Sequence, residues 1–270
     1  MEQDRALRHV RLATGVRLAY TGAGAGPGSG APVLLLHAWA ESRRSFDRLL
    51  PLLPVTVRAM AVDHRGHGES DKPMTGYSLD DLAADVESFL DALGLPAAVL
   101  VGSSSGGYLA QHVAIRSPSR VAGLVLVGSP RTLRGRPAFA DEVDRLTDPV
   151  DAAWVRRSLE WFPLLHPVPR WYVDDRVRDG ARTPAHVWRR SLDGLTAATP
   201  PTDAGTITAP TVILWGERDG LVLRDQADGL AAAIPGSRLV VYPDTGHLVL
   251  WEQPHRVAAD VTAFLAGLGV

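Results

Sequence analysis

Short, unbroken apolar runs recur along most of this 270-residue chain and alternate with segments of helical period. Val33 to Leu36 precedes Phe46 to Leu53, Val57 to Val62 precedes Leu79 to Leu93, and Ala98 to Val101 precedes Gly106 to Ile115. A strand that is apolar at every position must be covered on both faces, and regular alternation with helices implies a parallel arrangement. The pattern therefore predicts an α/β fold: a mostly parallel central sheet with flanking helices. It continues through Leu124 to Val127, Val212 to Trp215, Leu239 to Tyr242 and a C-terminal helix from about Pro254 to Leu268.

Two stretches depart from this grammar. Val10 to Tyr20 reads as two short strands around a Thr14-Gly15 turn, and Thr21 to Ala31, rich in Gly, Ala, Pro and Ser, reads as a loop. Gly26, Gly28 and Ala31 formally satisfy a dinucleotide-binding pattern, but that pattern must open a helix, and an apolar strand follows here. Between Pro130 and Gly205 the alternation lapses into a segment with four of the seven tryptophans and the Pro-rich run Phe162 to Pro169. The predicted organisation is a core of residues 1–130 and 206–270, with residues 131–205 a mainly helical lid, or cap, over the strand ends.

Composition removes several classes of function. Hydrophobic residues at 46% and charged residues at 21% suit a packed globular chain. A formal charge of -2 without basic clusters offers no general attraction to nucleic acid or anionic lipid, so neither nucleic acid nor membrane is an expected partner. The chain has no cysteine, which excludes disulfides, a thiol nucleophile and thiolate metal ligands. No His-x-His, His-Glu-x-x-His or acidic cluster suggests a metal, and no cofactor is expected. The charged start Met-Glu-Gln-Asp-Arg does not resemble a secretory signal, and no apolar run nears the roughly 18 residues of a membrane span, so a cytoplasmic location is expected.

Gly102-Ser103-Ser104-Ser105-Gly106 lies between a buried strand and a helix. Only Ser104 has glycine at both minus two and plus two, the G-x-S-x-G pattern of a nucleophile on a sharp turn. Flanking side chains must vanish there for strand and helix to approach. A plain Ser/Gly-rich turn is the alternative.

A serine hydroxyl needs a base to take its proton and an acid to hold that base in the right tautomer. In this arrangement they follow the serine in the order acid, then histidine, each just past the end of a strand. Thr211 to Asp219 offers Asp219, with Glu217 as a rival too close to the strand end, and Leu239 to His247 offers His247. Asp244 reads as a turn residue in Pro-Asp-Thr-Gly. His9, His112, His186 and His255 read as structural residues.

With these motifs in view, residues 8 to 268 resemble the α/β-hydrolase superfamily, specifically serine hydrolases of esterase or lactonase type with an inserted lid. Leu36-His37-Ala38-Trp39 is similar to the family's His-Gly-aromatic turn, with Ala38 where glycine is usual. Asp63 to Ser70 matches its D-x-R-G-x-G-x-S loop, which is expected to brace the site. The resemblance implies an oxyanion hole made by the backbone N–H groups of Trp39 and Ser105.

Ser104, Asp219 and His247 together imply cleavage of a carboxylic ester or lactone through an acyl-enzyme. An aspartate nucleophile, as in the epoxide hydrolases and dehalogenases of this fold, is excluded by Ser104. Trp154, Trp161, Phe162, Trp171 and Trp188 are candidate substrate-binding residues for a small apolar molecule, although each could instead pack the lid onto the core. Alternatives with the same three residues are a cofactor-free perhydrolase or haloperoxidase and a carbon-carbon bond hydrolase. A non-enzymatic receptor on the same fold is a further class. Oligomeric state is not encoded in any motif.

Overall fold

The computed structural model describes residues 6–24 and 30–269. Among them, eight strands form one sheet in the order β1-β2-β4-β3-β5-β6-β7-β8. The strands are β1 (Arg8–Arg11), β2 (Arg17–Ala23), β3 (Val33–Leu36), β4 (Ala59–Val62), β5 (Ala98–Ser103), β6 (Val121–Val127), β7 (Thr211–Gly216) and β8 (Arg238–Tyr242). Strands β1 and β2 are antiparallel to their neighbours, and the remaining pairs are parallel. The predicted mostly parallel α/β sheet is the observed one.

The unbroken apolar runs have the expected cause. Leu34, Leu36 and Leu100 face one layer, packed on helices α1 (Leu79–Ala92) and α2 (Ser105–Arg116). Val33, Leu35, Val99 and Val101 face the other and share a core with Phe46, Trp251, Val257 and Val261. Each side chain so buried contributes roughly 1.5 to 3 kcal/mol of transfer free energy. Helix α1 opens on the capping box of Ser78 and Asp81, whose side chains satisfy each other's backbone N–H groups.

Between β6 and β7 lie helices α3 (Ala140–Asp144), α4 (Ala152–Ser158), α5 (Arg170–Ala181), α6 (Ala185–Ala197) and α7 (Pro201–Ala204). Their apolar faces form a separate cluster around Val143, Val155, Val177 and Trp188. The chain closes with α8 (Arg224–Ala233), α9 (Val249–Glu252) and α10 (Pro254–Gly267).

Two expectations need correction. Phe46 to Leu53 forms no α-helix: short 3-10 turns occupy Arg43–Phe46 and Leu50–Leu52. Pro51 and Pro54 lack the N–H groups a continuous helix would need, so the spacing of apolar residues is met by turns. The loop expected from Thr21 begins later, because β2 continues to Ala23 by pairing with β4. Residues 25–29, which include Gly26 and Gly28, lie outside the described residues.

Candidate active site

Ser104 stands between β5 and α2, as the residue that caps the helix, with φ 48° and ψ -117°, a conformation a non-glycine residue rarely adopts. The turn is so tight that a Cβ at Gly102 would lie 2.4 Å from the Gly107 backbone, and one at Gly106 would lie 2.2 Å from the Leu36 carbonyl oxygen. That is why glycine flanks Ser104 on both sides. The strain places the hydroxyl at the carboxyl edge of the sheet, where it faces the loops after β7 and β8.

Asp219 lies in the loop after β7 and His247 in the loop after β8. His247 Nε2 is 3.0 Å from Ser104 Oγ, and its Nδ1 is 2.8 Å from Asp219 Oδ2. The other Asp219 oxygen accepts the N–H groups of Leu221 and Val222 at 2.8 and 2.9 Å. Asp219 and His247 are buried. The carboxylate thus holds a proton on Nδ1, which leaves Nε2 free to accept one from Ser104. Glu217 is exposed, and Asp244 sits in a turn with φ 52°.

Glu252 steadies this loop from behind. Its buried carboxylate accepts the N–H of Gly246 at 3.2 Å through one oxygen, and those of Leu165 and His166 at 3.1 and 2.9 Å through the other. One side chain therefore joins the residue before His247 to the segment between β6 and β7. No motif marks it in the sequence.

The turn after β3 is braced by three buried histidines. His37 donates Nδ1–H to the Ala38 carbonyl and accepts the His64 N–H at Nε2. His67 lies against the Arg65 carbonyl through Nδ1 and accepts the Ala40 N–H at Nε2. Burial, the leading cause, holds all three below the ordinary imidazole value, helped by the neighbouring histidines at His37 and His64 and by Lys72 at His67; His64 lies at about 3 and His67 at about 4. Asp63 accepts the N–H groups of Arg43 and Glu69, and Arg65 is paired with Asp85, so the Asp63 to Ser70 loop supports the site from below.

The Ser104 and His247 side chains open into a cavity of about 360 Å³. Trp39, Phe139, Trp161, Phe162 and Trp188 line it, and exposed Arg134 and Arg136 mark its mouth. Phe139 stacks between Trp39 and Trp161, at ring separations of 5.7 and 4.5 Å. Phe162 approaches the His247 ring at 5.4 Å. Of the five aromatics expected to bind substrate, Trp161, Phe162 and Trp188 reach the cavity. Trp154 does not: it packs edge-on behind Trp161 and Trp188. Trp171 does not either, being 53% exposed on α5. Nothing in the sequence marks Phe139, because an isolated aromatic in an irregular segment carries no positional signal.

The matching family model, described as the alpha/beta hydrolase fold, spans residues 31–254. The chain belongs to the α/β-hydrolase family. This α/β-hydrolase is 30% identical to a non-heme chloroperoxidase of Streptomyces lividans over 89% of its own length and 93% of that protein. It is 29% identical to a 2-hydroxy-6-oxononadienedioate/2-hydroxy-6-oxononatrienedioate hydrolase of Klebsiella pneumoniae, over 90% and 85% of the two chains. Among solved structures it superposes on a thermophilic esterase from Thermogutta terrifontis with a TM-score of 0.80 and 25% identity, covering 98% and 100% of the two chains. No helix among the described residues is long and apolar enough to cross a membrane.

Proposed function

We propose that this α/β-hydrolase cleaves a carboxylic ester or lactone through an acyl-enzyme formed on Ser104. One observation carries the reading: the continuous hydrogen-bonded chain from Asp219 through His247 to the strained Ser104. Ser104 Oγ attacks the carbonyl carbon as its proton passes to His247 Nε2. The negative oxygen is stabilised by the N–H groups of Ser105, at the start of α2, and Trp39. His247 then protonates the leaving oxygen, and a water, deprotonated by the same imidazole, releases the acid. Asp219 keeps the imidazole oriented and balances its charge.

The cavity suits an apolar substrate of moderate size, because its volume falls in the range of small-molecule sites and aromatic side chains form much of its wall. Helices α3 to α6 act as the lid, with Trp161, Phe162 and Trp188 as its substrate-facing residues. Residues 131–205 are the lid segment and the remainder the core.

Ser104→Ala is expected to lower ester turnover by at least about three orders of magnitude and to abolish labelling by a fluorophosphonate. Retention of most turnover would refute the assignment. The chloroperoxidase relative supports a second reading, in which hydrogen peroxide replaces water and the acyl-enzyme yields a peracid. Peroxide-dependent halogenation faster than ester hydrolysis would favour it. The Klebsiella relative supports carbon-carbon cleavage on the same residues, which a vinylogous diketone substrate would reveal.

A further inference from the structure

A second cavity, of about 320 Å³, adjoins the one that holds Ser104 and His247. Leu159, Phe162, Leu248 and Trp251 line both. These four side chains are therefore the partition between two spaces of similar size. Beyond it, Pro163, Leu164 and Val173 make the far wall apolar, and exposed Arg156 and Glu160 mark the rim. Leu164 is left 39% exposed there, an apolar surface that the protein itself does not cover.

The partition has one loosely held member. Trp251 is buried and packs edge-on against Tyr172 at 5.3 Å, and Leu159 and Leu248 pack against the same core. Among the described residues, Phe162 alone of the four is part of no apolar cluster: its ring stands 5.4 Å from His247 and, edge-on, 6.5 Å from each of Phe139 and Trp161. It follows the 3-10 turn Leu159–Trp161 and precedes Pro163, so no helix holds its backbone. Side chains at partly exposed positions change rotamer far faster than an enzyme turns over.

We propose that the second cavity receives the distal end of a long alkyl chain carried by the substrate, and that Phe162 is the gate past which the chain runs. The occupant follows from continuity. A chain whose ester group lies at Ser104 and which outgrows the first cavity meets the second directly behind Phe162, and the apolar walls there suit methylene groups. Each further methylene buried is worth about fourfold in affinity. The second cavity extends the substrate class from esters of moderate size to long-chain ones, and it rests on the hydrolytic reading above.

The test is a set of aryl esters of straight-chain acids from butyrate to laurate, each kept below its aggregation limit. A parallel set of acetates, from butyl to dodecyl, carries the chain on the alcohol half. The wild-type enzyme is expected to hydrolyse the longest ester at least as well as the shortest in kcat/KM, in one set or the other. Leu164→Trp, which fills only the second cavity, is expected to cut that long-to-short ratio at least tenfold, the worth of about two methylenes. Val173→Phe serves if Leu164→Trp does not fold. Phe162→Ala, which removes the gate, is expected to raise the ratio at least threefold. Because the readout is a ratio, activity lost equally on all esters does not mimic the effect. A wild-type ratio below one in both sets overturns the proposal, as does a ratio unchanged in the filled variant or one that does not rise in Phe162→Ala. If Ser104→Ala removes all turnover while these ratios fail, only the second cavity loses its role; if Ser104→Ala stays active, the hydrolytic reading fails.

Discussion

The N–H of Trp39 donates to the Oγ of Ser105 at 2.6 Å. One of the two main-chain donors assigned to the oxyanion is thus held by the side chain of the residue that supplies the other. A substrate oxygen must displace that hydroxyl to reach Trp39. Losing a typical hydrogen bond costs about 1 kcal/mol net, which is roughly fivefold in rate. Ser105→Ala is therefore expected to raise kcat/KM about fivefold on a small ester, measured in parallel with Ser104→Ala as the inactive control. A fall would mean that the hydroxyl itself assists the oxyanion.

Asp219→Asn should leave the fold intact, since the amide oxygen can still accept the Leu221 and Val222 N–H groups. The amide nitrogen then faces His247 Nδ1 and forces the proton onto Nε2, where it blocks transfer from Ser104. A drop in kcat of about three to four orders of magnitude is expected, with little change in melting temperature. Comparable activity in the variant would remove Asp219 from its role.

Stability is expected to fall in acid through His37, His64 and His67. The unfolded chain protonates these side chains near 6.5, but the folded chain resists until about 4 for His67 and about 3 for His64. Between those values the unfolded state binds more protons, so stability declines as pH falls from 6.5 toward 3 and levels off only below. At pH 5 the cost is about 2 kcal/mol for each of His64 and His67. Urea melts at a series of pH values check this. His67→Gln, which can keep one donor and one acceptor, should flatten the slope, and an unaltered slope would contradict it.

Glu252→Ala removes the acceptor of three backbone N–H groups. A loss of about 3 kcal/mol in stability is expected from the orphaned donors. The His247 loop should loosen with it, so kcat should fall more than KM rises. Glu252→Gln, retaining one oxygen, should recover part of both. Full activity and stability in the alanine variant would show that the link is dispensable.

Much of the fold was legible because its causes are local. Val33 to Leu36 and Ala98 to Val101 are apolar at every position and too short for a buried helix, which is the pattern of a strand covered on both faces. The segment Phe46 to Leu53 shows the limit: its apolar spacing suggests a helix, but Pro51 and Pro54 divide it into turns. Trp171 and Trp154 show another, since an aromatic residue in an inserted segment is equally able to reach the cavity, pack behind it or face solvent.

The sequence by itself determined the alternation of core strands and helices, apart from Phe46 to Leu53, and singled out Ser104, Asp219 and His247. Backbone sterics and hydrophobic period act within a few residues, and a glycine two places from a serine already restricts what the turn can be. Only the tertiary structure decided that Ser105 holds the Trp39 N–H and that Glu252 ties the His247 loop to the segment beside it. Those contacts join elements far apart in the chain. They depend on how helices seat against the sheet, which is set by the packing of the whole core rather than by any short stretch of residues.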